Sequence, residues 1–315
     1  MAMNLDSKIF VAGHRGLVGS AIVRVLQKQD YTNLITRTRQ ELELLDNLAV
    51  KTFFAQEKPE YVFLAAAKVG GIMANNTYPA DFIYQNLVVQ NNVIHNAYLV
   101  GVKKLLFLGS SCIYPRNCPQ PIKEEYFMTG PLEPTNEAYA MAKIAGIVMC
   151  QSYNKQYGTN FISLMPTNLY GPNDNFDLDS SHVLPALIRK FHKAKIGNKK
   201  EVVLWGTGAP KREFLQVDDL ADACVFLMKN YDSPEIVNVG IGEDMAIKNL
   251  AEMIKKIVGY DGKIIWDTSK PDGMPQKLLD VSKISALGWH DQIKLEDGIK
   301  ETYEWFKKNM NDVVS

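Results

Sequence analysis

The feature that most constrains this chain is a glycine run, Gly13-His14-Arg15-Gly16-Leu17-Val18-Gly19, set between an apolar stretch at 9–12 and an amphipathic one at 17–29. The apolar stretch reads as a strand buried on both faces. Val18, Ile22 and Leu26 recur at the i, i+4 spacing of a helix. Strand, glycine turn and helix in immediate succession open a parallel βαβ unit. Gly13 permits the tight turn, Gly16 lets main chain approach an anion, and Gly19 lets the helix lie close on the strand. The helix N-terminus then offers free N–H groups and its positive dipole end to a dinucleotide pyrophosphate. Glycines also serve plain turns, so it is the strand–helix context that carries this reading.

The rest of the first half repeats the alternation. Short apolar runs at 34–36, 61–67, 105–108 and 161–165 read as strands, with long helical stretches at 80–99 and 136–157 between them. Pro79 can open the first of those helices and Gly101 end it; Gly158 can close the second. The expected fold is therefore α/β, a Rossmann-type doubly wound parallel sheet with right-handed crossovers. After Pro166 the texture changes. The segment 168–181 is rich in Asn, Asp, Gly and Pro and reads as loop. Strands at 202–205, 236–239 and 263–266, a helix at 247–258 and a last amphipathic helix around 295–306 follow. Residues 1–170 are expected to form the cofactor domain. Residues 171–315 mainly form a smaller mixed α/β substrate domain, some of whose segments can return to the main sheet.

Bulk properties narrow the function classes. With 35 basic and 35 acidic residues the net charge is zero, and no Lys/Arg run suggests a nucleic-acid or membrane-surface partner. Cys112, Cys118, Cys150 and Cys224 show no C-x-x-C pair or metal-ligand spacing, so no metal is expected. Reduced thiols, no apolar run of membrane-spanning length and a short polar start before residue 9 imply a cytoplasmic protein.

The second strand decides which dinucleotide. An NAD site wants a carboxylate about twenty residues past the glycines, accepting from the ribose 2′-hydroxyl. Here stands Thr36-Arg37-Thr38-Arg39, with Arg15 in the glycine loop. Guanidinium groups bind a 2′-phosphate with paired donors. NADP(H) is favoured, with Arg39 and Arg15 as its partners ahead of Arg37.

Tyr139-Ala140-Met141-Ala142-Lys143 places a phenol and an ammonium one helical turn apart on one face. A carbonyl reduced by hydride becomes an alkoxide and needs a proton. Lys143 can lower the phenol toward neutrality and can hold the nicotinamide ribose. Upstream, the strand at 105–108 ends in Gly109-Ser110-Ser111-Cys112, where ligands of parallel sheets bind. Ser110 can hydrogen-bond a substrate carbonyl there. If the segment stays extended, Cys112 points to the same side as Ser110. A thiolate there could remove a carbon-bound proton, with His182, after a polar loop, as the acid on the other face. Taken on spacing alone, a single Cys is more often packing and a single His more often structural.

Glycine loop, strand-end Ser and Y-x-x-x-K together resemble the extended short-chain dehydrogenase/reductase superfamily. Five segments are similar to the GDP-L-fucose synthase family within it: 13–19, 65–72, 75–86, 108–115 (Leu-Gly-Ser-Ser-Cys-Ile-Tyr-Pro) and 165–172 (Met-Pro-Thr-Asn-Leu-Tyr-Gly-Pro). The likeness continues through Lys270-Pro271-Asp272-Gly273 and Lys277-Leu278-Leu279-Asp280. It implies a bifunctional enzyme that epimerises C3 and C5 of GDP-4-keto-6-deoxy-D-mannose and reduces its C4 ketone with NADPH. It gives Cys112 and His182 the roles of base and acid, and Ser110, Tyr139 and Lys143 those of the reductive site. It assigns to the cofactor the loop 13–19, Arg39, Leu108-Gly109-Ser110-Ser111, Lys143, Pro166-Thr167-Asn168-Leu169 and His182. It assigns Lys190, Trp205, Arg212 and Asp272 to the sugar nucleotide. It implies a homodimer through the helices at 80–99 and 136–157. The nearest rivals are a nucleotide-sugar 4-epimerase, a 4,6-dehydratase or a simple 4-ketoreductase on the same fold. A rival of another class is a non-catalytic NADP-binding sensor, which would tend to lose the Tyr or the Lys.

Overall fold

Strands whose residues are apolar on both faces must be covered on both sides, and the first half of the chain obeys this. In the computed structural model, which describes residues 3–178, 180–270 and 272–310, strand and helix alternate. The order is β1 (Ile9–Ala12), α1 (Leu17–Lys28), β2 (Leu34–Ile35), α2 (Asn47–Glu57), β3 (Tyr61–Leu64), α3 (Ile72–Thr77), α4 (Pro79–Leu99), β4 (Lys104–Leu108), α5 (Glu137–Tyr157) and β5 (Phe161–Pro166). The chain continues through β6 (Asn168–Tyr170), α6 (Val183–Ile196), β7 (Glu201–Trp205), β8 (Lys211–Arg212), β9 (Phe214–Gln216), α7 (Val217–Asn230) and β10 (Val237–Val239). It ends with β11 (Met245–Ala246), α8 (Ile247–Val258), β12 (Lys263–Asp267), β13 (Gln276–Lys277), α9 (Ser282–Ala286) and α10 (Leu295–Asn309).

Six strands form one sheet in the order β10-β5-β4-β3-β1-β2, and every pairing is parallel. The fold is the expected Rossmann-type doubly wound sheet. One face is packed by α1, α7 and α9 and the other by α2, α4 and α5, each over its own apolar core. Buried side chains such as Ile22 and Leu26 each contribute about 1.5–3 kcal/mol to that packing. From β1 the chain passes to β2 on one side and then to β3 on the other. The order reverses at β1 and β3, and the crevice beyond their carboxyl ends is where such sheets take ligands. A third core, built on Tyr170, Phe176, α6, β7, α8 and α10, supports a smaller lobe beside that crevice.

Two expectations differ in detail. The segment 168–181 opens with β6 rather than loop, because β6 pairs in parallel with β9 and Tyr170 is fully buried. The strand expected over 61–67 ends at Leu64. Past residue 170 the chain does re-enter the large layer: β10 pairs β5, and α7 packs on α1.

Candidate active site

At the end of β1, Gly13 adopts φ +86°, a left-handed conformation that a side chain resists, and a Cβ there would lie 2.9 Å from the Ala66 main chain. A Cβ on Gly19 would collide with the Gly13 carbonyl. Both glycines are demanded by close approach. Gly16 N-caps α1 with no side-chain cap on the free N–H groups, and a Cβ there would meet only the Gly13 carbonyl, at 3.5 Å. Leu17 and Val18 pack on the core below, while Arg15 is exposed. Burial and the neighbouring Arg15 hold His14 below the ordinary imidazole value. Next to the loop lies a cavity of about 510 Å³, walled by Gly13, Ala66, Leu42, Arg37 and Arg39 among others. Arg37 is half-buried and paired with Glu57 at 2.6 Å. The Arg39 side chain is 74% exposed and paired with Glu43 at 2.5 Å. The uncapped helix end, the glycine approach and the arginine-rimmed cavity fit a dinucleotide carrying an extra phosphate.

The second cluster sits where β4 ends. Helix α5 lies close on β4 because Gly146 faces the Phe107 ring, where a Cβ would clash. That contact brings Tyr139 and Lys143, one turn apart, over Leu108-Gly109-Ser110. Lys143 is buried and donates to the Leu108 carbonyl at 2.7 Å, and its Nζ stands 5.8 Å from the Tyr139 ring centroid. The segment after Ser110 is not extended. Ser111–Ile113 forms a 3₁₀ turn, and the Ser110 Oγ caps it by accepting from the Cys112 N–H at 3.2 Å. The turn still leaves Ser110 and Cys112 facing Tyr139: Ser110 hydrogen-bonds the phenol, and the Cys112 sulfur acts on it electrostatically.

Charge in this cluster departs from the sequence-based expectation. Lys143 is not what sets the phenol. Burial pushes Tyr139 well above its usual value, Cys112 adds to the rise, and only the Ser110 hydrogen bond opposes it. The phenol therefore keeps its proton at neutral pH, which suits a proton donor. Burial lowers Lys143 itself from 10.5 to about 8.

The predicted cofactor segment at the end of β5 is fixed by main-chain contacts. The Thr167 N–H donates to Val239 O at 3.1 Å, and Asn168 Nδ2 donates to Glu213 O at 2.9 Å. Pro166 closes β5, and Leu169 packs on the first core. His182 caps the N-terminus of α6 with extended φ/ψ. Its residue surface is exposed, but desolvation of the ring and the Lys277 ammonium hold its imidazole below the ordinary value.

In the smaller lobe, Trp205 is 56% exposed, with Lys190 Nζ 5.9 Å and Lys270 Nζ 5.7 Å from its ring centroid. Asp272 accepts from Thr207 N and Oγ1, both at 2.7 Å, which holds its carboxyl below the usual range. Arg212 is held below its ordinary value by burial, and in β8 it stands in register with Lys277 of β13. Trp205, Asp272 and Arg212 thus lie along one track that reaches the Cys112 turn through Lys277.

Three residues of this site receive no role in the sequence reading. Lys277 places its Nζ 3.6 Å from Cys112 Sγ. Asn136 donates its Nδ2 to the same sulfur at 3.2 Å. Glu213, fully buried, accepts from the Ile241, Gly242 and Leu279 N–H groups and so ties the end of β10 to the strand that carries Lys277. None has a local signature, since each acts through a partner far away in sequence.

A dinucleotide crevice at the reversal of a parallel sheet, with Ser, Tyr and Lys beside it, defines a dinucleotide-dependent oxidoreductase of the short-chain dehydrogenase/reductase class. Comparison sharpens this. The model of the NAD dependent epimerase/dehydratase family matches residues 9–240. GDP-L-fucose synthase 1 of Arabidopsis thaliana is 63% identical over 305 residues, 97% of this chain and 94% of the relative. A GDP-L-fucose synthetase from Naegleria fowleri, solved bound to NADP, superposes with a TM-score of 0.93 at 33% identity, covering 100% of this chain and 97% of that one. A GDP-mannoheptose C4 reductase from Campylobacter jejuni, with NADP bound, has a TM-score of 0.90 at 49% identity, with 97% and 99% covered. The chain belongs to the NAD-dependent epimerase/dehydratase family and, within it, to the GDP-L-fucose synthases.

Proposed function

We propose that the chain converts GDP-4-keto-6-deoxy-D-mannose to GDP-L-fucose, epimerising C3 and C5 and then reducing the C4 ketone. The observation that carries this reading is the meeting of Ser110, Cys112 and Tyr139 at the end of β4. Ser110 and Tyr139 suit a carbonyl; a ketoreductase has no use for the sulfur, whereas a carbon acid needs a base.

The 13–19 loop and the α1 N-terminus would hold the pyrophosphate of NADP(H), and Arg39 and Arg15 its 2′-phosphate. Residues 108–111, Lys143, 166–169 and His182 would line the nicotinamide end. When bound, NADPH supplies the hydride that C4 receives. The chain's own groups manage the protons. The Cys112 sulfur takes the proton from C3 or C5 as the C–H electron pair moves onto the C4 oxygen. His182 returns a proton on the opposite face. Ser110 and Tyr139 donate hydrogen bonds to the C4 oxygen each time it gains charge, and in the last step Tyr139 gives up its proton. One pocket can serve all these steps because each builds charge on the same oxygen.

Lys190, Trp205, Arg212 and Asp272 would take the GDP part. On this reading residues 1–170, joined by α7 and β10, serve the cofactor, and the rest of 171–315 mainly serves the substrate. Exposed apolar residues on α4 and α5, Tyr84, Leu99, Val148 and Tyr157, support a homodimer through those helices. Cytoplasmic placement fits the free cysteines.

The test is deuterium exchange followed by NMR, with the keto-sugar nucleotide in D₂O and no NADPH. Wild type is expected to exchange C3 and C5, and Cys112→Ala to exchange neither. The second reading, a simple C4 reductase, is favoured by the 49% identity to the Campylobacter reductase. It predicts NADPH consumption with no exchange in wild type.

A further inference from the structure

The Cys112 sulfur does not stand alone. The 3₁₀ turn that carries it faces a cavity of about 20 Å³, walled by Cys112, Asn136, Glu133, Met274 and Lys277 among others. That is room for one water. Asn136 Nδ2 reaches the sulfur at 3.2 Å from the turn that leads into α5, and Lys277 Nζ reaches it at 3.6 Å from β13. Among the described residues the buried Asn136 Oδ1 has no hydrogen-bond partner, while its Nδ2 donates to the sulfur.

We propose that Lys277, with Asn136, is a positioning residue that aims the Cys112 sulfur for carbon-proton abstraction. The inference rests on the reading of Cys112 as the base. Two N–H donors, an amide and an ammonium, converge on the sulfur and fix its direction. When the thiolate takes the proton, an S–H bond forms as the C–H bond breaks, and the electron pair passes to the C4 oxygen. The other titratable and charged groups facing the sulfur are Tyr139 of α5, which stays protonated, and Glu133, which is already paired with Arg116 at 3.2 Å. Lys277 has no carboxylate partner among the described residues, so its charge is available to the sulfur. The same ammonium lowers His182, so it disfavours the protonated form of the acid and the substrate's own charge must help His182 carry its proton. Arg212 of β8 pairs in register with Lys277 of β13, so one strand pairing places both cations.

The experiment is the D₂O exchange without NADPH, run on the full chain for wild type, Cys112→Ala, Lys277→Met, Lys277→Gln and Lys277→Arg. Melting temperature and NADPH affinity report integrity. Lys277→Met and Lys277→Gln are expected to slow exchange about 100-fold at saturating substrate. Lys277→Arg is expected to stay within about fivefold of wild type, because its charge remains. Exchange by Lys277→Met within twofold of wild type would overturn the proposal. So would recovery by Lys277→Gln as full as by Lys277→Arg, or a loss confined to KM, which would make Lys277 a plain substrate contact. If Cys112→Ala exchanges like wild type, it is the base reading that fails. Should Lys277→Met not fold, the Gln and Arg pair decides.

Discussion

The carboxyl end of the large sheet and the smaller lobe hold their chemistry in opposite ways. At the sheet end the reacting groups are buried and over-determined. Lys143 is 4% exposed and bonded to main chain, and Tyr139 is bound to Ser110 over a helix pressed onto β4. In the smaller lobe Trp205 stands 56% exposed between two lysines, and Asp272 is held at the surface by Thr207. Burial at the sheet end shifts proton affinities and costs folding free energy. In the lobe burial still lowers Arg212 and Lys190 and hydrogen bonds lower Asp272, but the Trp205 ring stays open to solvent and ready to bind. The proposed function would make one region serve rate and the other affinity, and substitutions should then separate along that line.

The sharpest separation is expected at Lys143. Its lowered value of about 8 means the folded state carries a penalty on the order of 3 kcal/mol, at about 1.4 kcal/mol per pH unit. The bond to Leu108 offsets part of it, by about 1.5–3 kcal/mol. Lys143→Met should therefore lower the rate of NADPH oxidation about 10²- to 10⁴-fold while raising stability by on the order of 1 kcal/mol. The sign with pH is fixed. Below pH 8 both folded and unfolded chains carry the proton and the penalty is full. It fades as pH rises from about 8 towards 10.5, where only the unfolded chain keeps its proton. The Tm advantage of the variant should accordingly be largest near pH 7 and shrink by pH 10. In the wild type, kcat should fall as pH rises through about 8. A Lys143→Met chain that is less stable at pH 7 would break the contrast at its strongest point.

This division was partly written in the sequence. The glycine loop, the strand ends and the Y-x-x-x-K pair are local in sequence, because a βαβ unit binds its ligand at one turn, and spacing alone places them on the right elements. The residues around Cys112 are not. Lys277 reaches the sulfur from a two-residue strand, and Asn136 from the turn before α5; no periodicity marks either. The expectation that Lys143 tunes the phenol missed how deeply both groups are buried, which desolvation decides and spacing does not record. The short pairing of β6 with β9 was hidden because a three-residue strand in Asn- and Gly-rich sequence has no pattern of its own.

Arg39 and Arg37 offer a finer test at one cavity wall. Arg39 is the more exposed, and Arg37 is tied to Glu57 and lies over the Phe53 ring. If Arg39 takes the 2′-phosphate, Arg39→Ala should cost about 10- to 100-fold in NADPH affinity and leave NADH nearly untouched. Arg37→Ala should act on both dinucleotides alike, through lost packing of the cavity wall. Measuring both affinities for both variants by fluorescence quenching decides between them. A selective loss in Arg37→Ala would reverse the assignment.

The smallest effect is expected where exposure is greatest. Trp205 covers little core, so Trp205→Ala should leave Tm unchanged within about 1 °C. Its ring and the two ammonium groups over it suit a purine and its diphosphate, and losing the ring should raise the KM for the sugar nucleotide about 5- to 10-fold. The kcat should stay near wild type, because the ring lies at the far end of the track from the Cys112 turn. Steady-state kinetics at saturating NADPH supply both constants. A fall in kcat with KM unchanged would mean that ring contacts reach the reacting carbon. Binding and rate would then be coupled across the cleft, and the two regions would have to be read as one.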